Sequence, residues 1–402
     1  MASDEKGGDV NPAKEIRIGL VGFGWMGEAH SRSYRNIPVY FPETGIRPRL
    51  VAVADTAPRR RQLAADNFGY ESSTDDWRQV IERRDIDVID ITAPNAMHEQ
   101  LATAAAAAGK HVFCEKPVGI EPRATAAIAA AARAANVITG CGYNYRWAPL
   151  VRYTKDLILD GRLGDVTHYR GRFFSMYGRD RTGVLSWRFL QDEAGYGALT
   201  DLMSHAADLA LHLAGPIRRV VSVKDTFVRD RPLPTGSGTH YDRGQPGDPT
   251  GQVTNEDYVG TLVEFANGAR GTLEADRSIF GPQSSMAFEI NGSKGAASWD
   301  HEKLNQLQLY LAEEQPNDGF IEVLAGDHLP RQGSIVPGGG NSLGYEDLKL
   351  IEALEYLTAV VEGRPFHPGF EDALEVASVL DAMIRSWTTG VWEEVRPLNV
   401  DR

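Results

Sequence analysis

The chain has 402 residues, more than the roughly 250–300 over which one hydrophobic core keeps growing, so about two domains are expected. With 42% hydrophobic and 24% charged residues it has an ordinary globular make-up, and a formal net charge of −13 argues against nucleic acid or an anionic membrane as the main partner. No apolar run approaches the roughly twenty residues of a membrane-spanning helix, and two cysteines in strand-like surroundings, Cys114 and Cys141, predict no disulfide framework and a reducing, cytoplasmic setting.

Residues 1–14 are polar, lack the apolar stretch of a signal peptide, and read as a disordered tail. From 15 to 146, strand-like and helix-like segments alternate. A strand over 16–22 is followed by a glycine-rich turn and a helix to about Arg35. The strand "RPRLVAVAD" ends on Asp55 and leads to the helix "APRRRQLAADNFG". The strand "DVIDITAP" and the helix "NAMHEQLATAAAAAGK" come next, then "HVFCEKP", a helix over 122–135 and the strand "VITGCGYNY". That alternation predicts a parallel sheet with right-handed crossovers and helices on both faces.

The pattern changes near residue 150. After a helix over 150–160, strand-like runs dominate from "VTHYRGRFFSMYG" to "KLNQLQLYL", with Asn267-Gly268 marking a hairpin between two of them. These predict a large, mostly antiparallel sheet. The Gly- and Pro-rich segment 229–254 reads as a long loop, and the chain closes with helices over 345–362 and 370–388. The expected fold is therefore α/β, with a dinucleotide-binding domain over 15–146. A second α/β domain over 147–402 follows, and its last helices can pack back on the first.

Three constellations bear on chemistry. Gly22-Phe23-Gly24-Trp25-Met26-Gly27 is a GxGxxG between a strand and a helix, where glycine lets the backbone approach a pyrophosphate at the helix N-terminus. Asp55 can accept hydrogen bonds from the adenosine ribose and repels a 2′-phosphate. NAD is thus favoured over NADP, although Arg59 and Arg60 lie close enough in sequence to weaken that preference. In "TAPNAMH", Thr92, Ala93, Pro94 and Asn95 stand at another strand's carboxyl end, placed to line the nicotinamide. His98 either flanks it or is a surface histidine at a helix N-terminus. In "ALTDLMSHAADLALHLAG", Asp201, His205, Asp208 and His212 share one helical stripe. That stripe suits a base with a carboxylate neighbour. A divalent-metal site, which would leave Lys116 without a role, and a buried face of satisfied polar groups are the alternatives.

The dinucleotide fingerprint, "TAP…H", "AGKHVFCEKP", "GYNYRW" and "GALTDLMSHAADLALHL", in this order, resemble the Gfo/Idh/MocA oxidoreductases, the family of glucose–fructose oxidoreductase and inositol dehydrogenase. The likeness spans about 15–395. It implies a Rossmann domain followed by an α/β domain whose open sheet joins subunits into a dimer or tetramer, with no metal. It also implies that Lys116, Asp201 and His205 surround the carbon being oxidised: His205 as proton acceptor, Lys116 on the reacting oxygen, Asp201 on substrate hydroxyls or orienting the other two. Glu115 falls to the nicotinamide side or to structure. Pro117 disfavours a helical backbone at Lys116, and in the family this proline is commonly cis. Asn144, Tyr145, Arg146, Trp187 and Arg188 are sugar contacts or domain-junction packing.

"AHSRSYRNIPVYFPETG" and "AMIRSWTTGVWEEV" further resemble the sugar dehydrogenases of the family that oxidise C3 of a pyranose or glycoside. The implied activity is NAD-dependent oxidation of a secondary hydroxyl of a sugar, anhydrosugar, glycoside or inositol. An oxidoreductase that keeps and recycles bound NAD(H), with 229–254 closing over the site, is a second reading. A non-catalytic NAD-binding regulator is a third.

Overall fold

The computed structural model of the protein describes residues 13–235, 241–314 and 318–399. Its first sheet contains β1 (Lys14–Val21), β2 (Ile46–Ala54), β3 (Ser72–Thr74), β4 (Val88–Ile91), β5 (His111–Cys114) and β6 (Thr139–Cys141). The strands are all parallel, in the order β3-β2-β1-β4-β5-β6. Between β1 and β4 the winding reverses, which opens a crevice at the carboxyl ends of the strands. Helices α1 (Trp25–Tyr40), α2 (Pro58–Phe68), α3 (Trp77–Ile81), α4 (His98–Ala107) and α5 (Pro122–Ala135) connect them. Local chemistry sets their ends. α2 and α5 start on a proline and stop at left-handed Gly69 and Asn136.

After α6 (Pro149–Leu159) the chain builds a second sheet from β7 (Val166–Ser175) and β8 (Ile217–Asp225). Between them lie α7 (Gln191–Ala194), a wide π-helical turn over Leu199–Met203, and α8 (Ser204–Ala214). The segment expected as one long loop holds β9 (Asp230–Pro232) paired with β10 (Thr250–Gln252); within it, residues 236–240 lie outside the described residues. The sheet continues through β11 (Tyr258–Phe265), β12 (Arg270–Asp276), β13 (Ser284–Gly292), β14 (Gly295–Asp300), β15 (Gln306–Leu311), β16 (Ile321–Leu324) and β17 (Glu393–Glu394). Its nine strands run β16-β15-β14-β13-β7-β12-β11-β8-β17 and pair antiparallel except β7 with β12. That parallel pair exists because the chain leaves β7 through α8 and returns at β8, so the β11–β12 hairpin is laid beside β7 from the far side.

The inner face of this sheet buries Tyr169, Phe173, Leu273 and Phe288 in one cluster with Ala206 and Leu209 of α8. α8 is buried along nearly its whole length, packed between the sheet and the helix over 370–389, with α6 and the turn over 144–147 beside it. After α9 (Gln332–Ile335), α10 (Tyr345–Glu362) packs Leu350, Leu354 and Leu357 into the cluster of Tyr34 and Ile37 from α1, and α11 (Phe370–Thr389) packs on α5. Of the tail expected over 1–14, Lys14 is already the first residue of β1, and residues 1–12 lie outside the described residues. No helix among the described residues is long and apolar enough to cross a membrane.

Candidate active site

The crevice is floored by the turn after β1. Gly22 has φ +96°, and a Cβ there would come within 2.6 Å of the Ala93 backbone; one on Gly27 would come within 2.5 Å of the Gly22 carbonyl oxygen. Nothing lies within 4 Å of a Cβ placed on Gly24, so the turn is packed tightly on the sheet side yet leaves room beside Gly24. Asp55 ties this turn to β2: its carboxylate accepts from the Phe23 and Ala57 amides, both at 2.8 Å. Arg60 lies 3.6 Å from the same carboxylate, and Arg61 donates to the Asp55 carbonyl. Phe23 points into the core against Phe68 and Tyr70, so only its backbone faces the crevice. Trp25, 63% exposed, stacks on Tyr345, whose hydroxyl reaches the Met26 sulfur. Free first-turn amides of α1, a glycine cradle and an acid at the end of β2 fit a dinucleotide.

At the end of β4, the Thr92 hydroxyl donates to the Gly22 carbonyl and closes the cradle. The Asn95 amide donates to the Ala194 carbonyl of α7, a bond between the domains rather than toward a cofactor. His98 corrects its surface reading. It is buried, with Nδ1 2.8 Å from the Pro117 carbonyl and Nε2 2.9 Å from the Ala93 carbonyl. Burial lowers its pKa. The ring is wedged between the turns after β4 and β5 with both nitrogens against backbone carbonyls; neutral, it donates to one of them, and neither nitrogen is turned toward a cofactor.

β5 delivers Glu115 and Lys116 to the same edge, before a cis Lys116–Pro117 bond. Glu115 turns inward. Its carboxylate meets His30 Nε2 at 3.0 Å and the Lys349 ammonium, and Lys349 also holds Glu352 at 2.9 Å. His30 pairs through Nδ1 with Asp90, which also accepts from the Tyr34 hydroxyl. Burial opposes a charge on His30, but Asp90 and Glu115 outweigh it and raise its pKa to about 9. Glu115 is therefore structural, the centre of a buried network that anchors the lysine-bearing turn to α1 and α10.

Lys116 points the other way. Its ammonium donates to Asp201 Oδ1 at 2.7 Å and to the Asp201 carbonyl at 2.9 Å. Asp201 Oδ2 accepts from the Tyr177 hydroxyl at 2.8 Å and lies 3.5 Å from Arg188. Burial alone would raise the Asp201 pKa; Lys116 and Arg188 overcome it and hold the carboxyl far below the usual range. His205, on the first turn of α8, is boxed by Tyr143, Tyr145 and Phe173, with its Nδ1 buried and unpartnered. Burial, reinforced by Lys116, pushes its pKa well below the usual imidazole value.

The expected stripe of four polar residues is split. Asp201 and His205 face the Lys116 centre, whereas Asp208 is bound by Arg146 in a bidentate pair at 2.6–3.1 Å. The third nitrogen of Arg146 goes to Asp372 of α11 at 3.1 Å. Of the two readings of Arg146, sugar contact or domain-junction packing, its partners match the second, since its whole guanidinium is engaged. Tyr145 packs edge-on against His205, and Asn144 is buried with its amide nitrogen unpartnered. Trp187 lies under Arg188, 4.6 Å from guanidinium carbon to ring centre. Among the described residues no three His, Cys, Asp or Glu side chains are grouped to hold a metal. Sequence reasoning missed Tyr177, which no spacing ties to Asp201, and Lys349, whose signal was a Lys–Glu pair three residues apart within the otherwise apolar run 348–354 of α10.

A glycine-turn crevice in one domain, beside a buried Lys–Asp–His cluster to which both domains contribute, is the arrangement of a two-domain oxidoreductase. The chain belongs to the GFO/IDH/MocA oxidoreductases. Residues 16–143 match the family's NAD-binding Rossmann fold and residues 151–298 its C-terminal domain. It is 35% identical over 384 residues to levoglucosan dehydrogenase of Pseudarthrobacter phenanthrenivorans, covering 95% of this chain and 98% of that protein. It is 27% identical to D-glucoside 3-dehydrogenase of Escherichia coli over 287 residues, 70% of this chain and 76% of the relative. A solved levoglucosan dehydrogenase in complex with NADH and levoglucosan superposes with a TM-score of 0.89 at 35% identity, covering 95% of this chain and 100% of that one.

Proposed function

We propose that the protein oxidises a secondary hydroxyl of a pyranose, anhydrosugar, glycoside or inositol with NAD, C3 of a pyranose being the oxidised carbon. When bound, NAD supplies a hydride acceptor. The observation that carries the proton chemistry is an ionised Asp201 clamped by Lys116, Tyr177 and Arg188 beside a buried, neutral His205. With its lone pairs engaged and its pKa depressed, Asp201 is a poor proton acceptor. His205 takes the hydroxyl proton. Asp201 orients the Lys116 ammonium, which stabilises negative charge developing on the substrate oxygen in a site shielded from water. The similarity to levoglucosan and D-glucoside 3-dehydrogenases supports the sugar class and the carbon.

The test is NADH formation with levoglucosan, methyl glucosides and inositols. Lys116→Ala should lower kcat by about 100- to 1,000-fold and His205→Ala by about 100- to 10,000-fold. Undiminished turnover in both variants contradicts the assignment.

A further inference from the structure

Tyr177 also lines a cleft of about 490 Å³, within the range of small-molecule sites. One face of Tyr177 lines this cleft while its hydroxyl is bonded to Asp201, so the cleft adjoins the oxidation site through a single side chain. The cleft wall carries Arg179, Arg181 and Arg243 and one acid, Asp180. Asp180 is paired with Arg243 and also accepts from Thr182. Arg179 is placed over the Phe280 ring, 5.3 Å from carbon to ring centre, and among the described residues neither it nor Arg181 has an ion-pair partner. Two guanidiniums without an ion-pair partner among the described residues thus line one cleft in a protein whose net charge is −13. The loop bearing them is held from below by buried Arg231 of β9, which donates to the Gly178 and Asp180 carbonyls. Phe280, 76% exposed, offers a flat apolar face at the rim.

We propose that this cleft is a second subsite that binds an anionic oxygen group, a carboxylate or a phosphate, carried by the sugar substrate beyond the ring being oxidised. A neutral monosaccharide needs no such cations. Guanidiniums match planar or tetrahedral oxyanions, and an aromatic rim suits the face of a second sugar ring. The inference rests on the reading of Lys116, Asp201 and His205 as the oxidation site.

Three ligands test it: a neutral disaccharide, the same disaccharide with a distal uronate, and the same with a distal phosphate ester. Each is measured with NAD for kcat/KM and, independently of turnover, for Kd against the enzyme–NADH complex by calorimetry. At least one anionic ligand should bind about tenfold or more tighter than the neutral one, and the preference should shrink as salt is added. In the Arg179→Gln/Arg181→Gln double variant the anionic-to-neutral ratio should fall toward one. The two anionic arms tell carboxylate from phosphate. Equal binding of all three ligands, or a ratio untouched by the double variant, overturns the subsite. Selective, arginine-dependent binding with no turnover of any sugar leaves the subsite standing and defeats the proposed function instead.

Discussion

A histidine that takes a proton from an alcohol has to be neutral before the reaction, and burial together with Lys116 keeps His205 so. Because its pKa lies below the ordinary value of 6.5, the active neutral form persists from there upward and is lost only as pH falls through the depressed value. The kcat/KM profile should therefore be level through neutrality, with an acid limb below pH 6.5. Since Lys116 is one cause of the depression, the residual activity of Lys116→Met should show that limb shifted to higher pH. A wild-type limb centred above pH 6.5 contradicts His205 as acceptor. Lys116, Asp201 and His205 were legible as residues because each lies beside a local landmark, a strand end with a proline or a polar stripe on an apolar helix. The roles of His98, Glu115 and Arg146 were not. Whether such a side chain meets a ligand or a buried partner depends on residues up to 234 positions away, as with Glu115 and Lys349.

At the scale of elements, α8 does two jobs with one face. Its first turn, entered through the π-helical turn that carries Asp201, serves the site, and its second turn is bolted to the rest of the protein by Arg146. Arg146 thereby joins the turn after β6, α8 and α11. Removing its principal partner leaves the buried guanidinium with Asp372 alone, so Asp208→Ala should destabilise the fold by up to about 3–5 kcal/mol, read as a lowered urea midpoint. A loss below about 1 kcal/mol would mean that the pair is only as weak as a surface one. Helix limits were readable where proline and glycine set them, and Pro122 and Asn136 bracket α5 as expected. The short strands β3, β16 and β17 were not, because a strand of two to four partly exposed residues carries too little alternation to stand out.

Across the whole molecule, the carboxyl ends of β1, β4, β5 and β6 deliver the glycine turn, the Thr92 turn, Lys116 and the Asn144–Trp147 turn to one edge. The second sheet then presses α8 against that edge. Strand alternation made the first sheet predictable, since parallel strands need crossovers of one hand. The parallel β7–β12 pair was invisible in the sequence, because it depends on where a distant hairpin docks. On the proposed function, the sugar carbon and the dinucleotide meet at this edge, with His205 as the proton acceptor. Hydride transfer from C3 of a pyranose to NAD can be followed with a substrate deuterated at that carbon. Deuterium should appear in the nicotinamide ring of the NADH formed, detected by mass spectrometry, together with a slowed rate. Unlabelled NADH would place the oxidation at another carbon, and no NADH from any sugar or polyol would contradict the account as a whole.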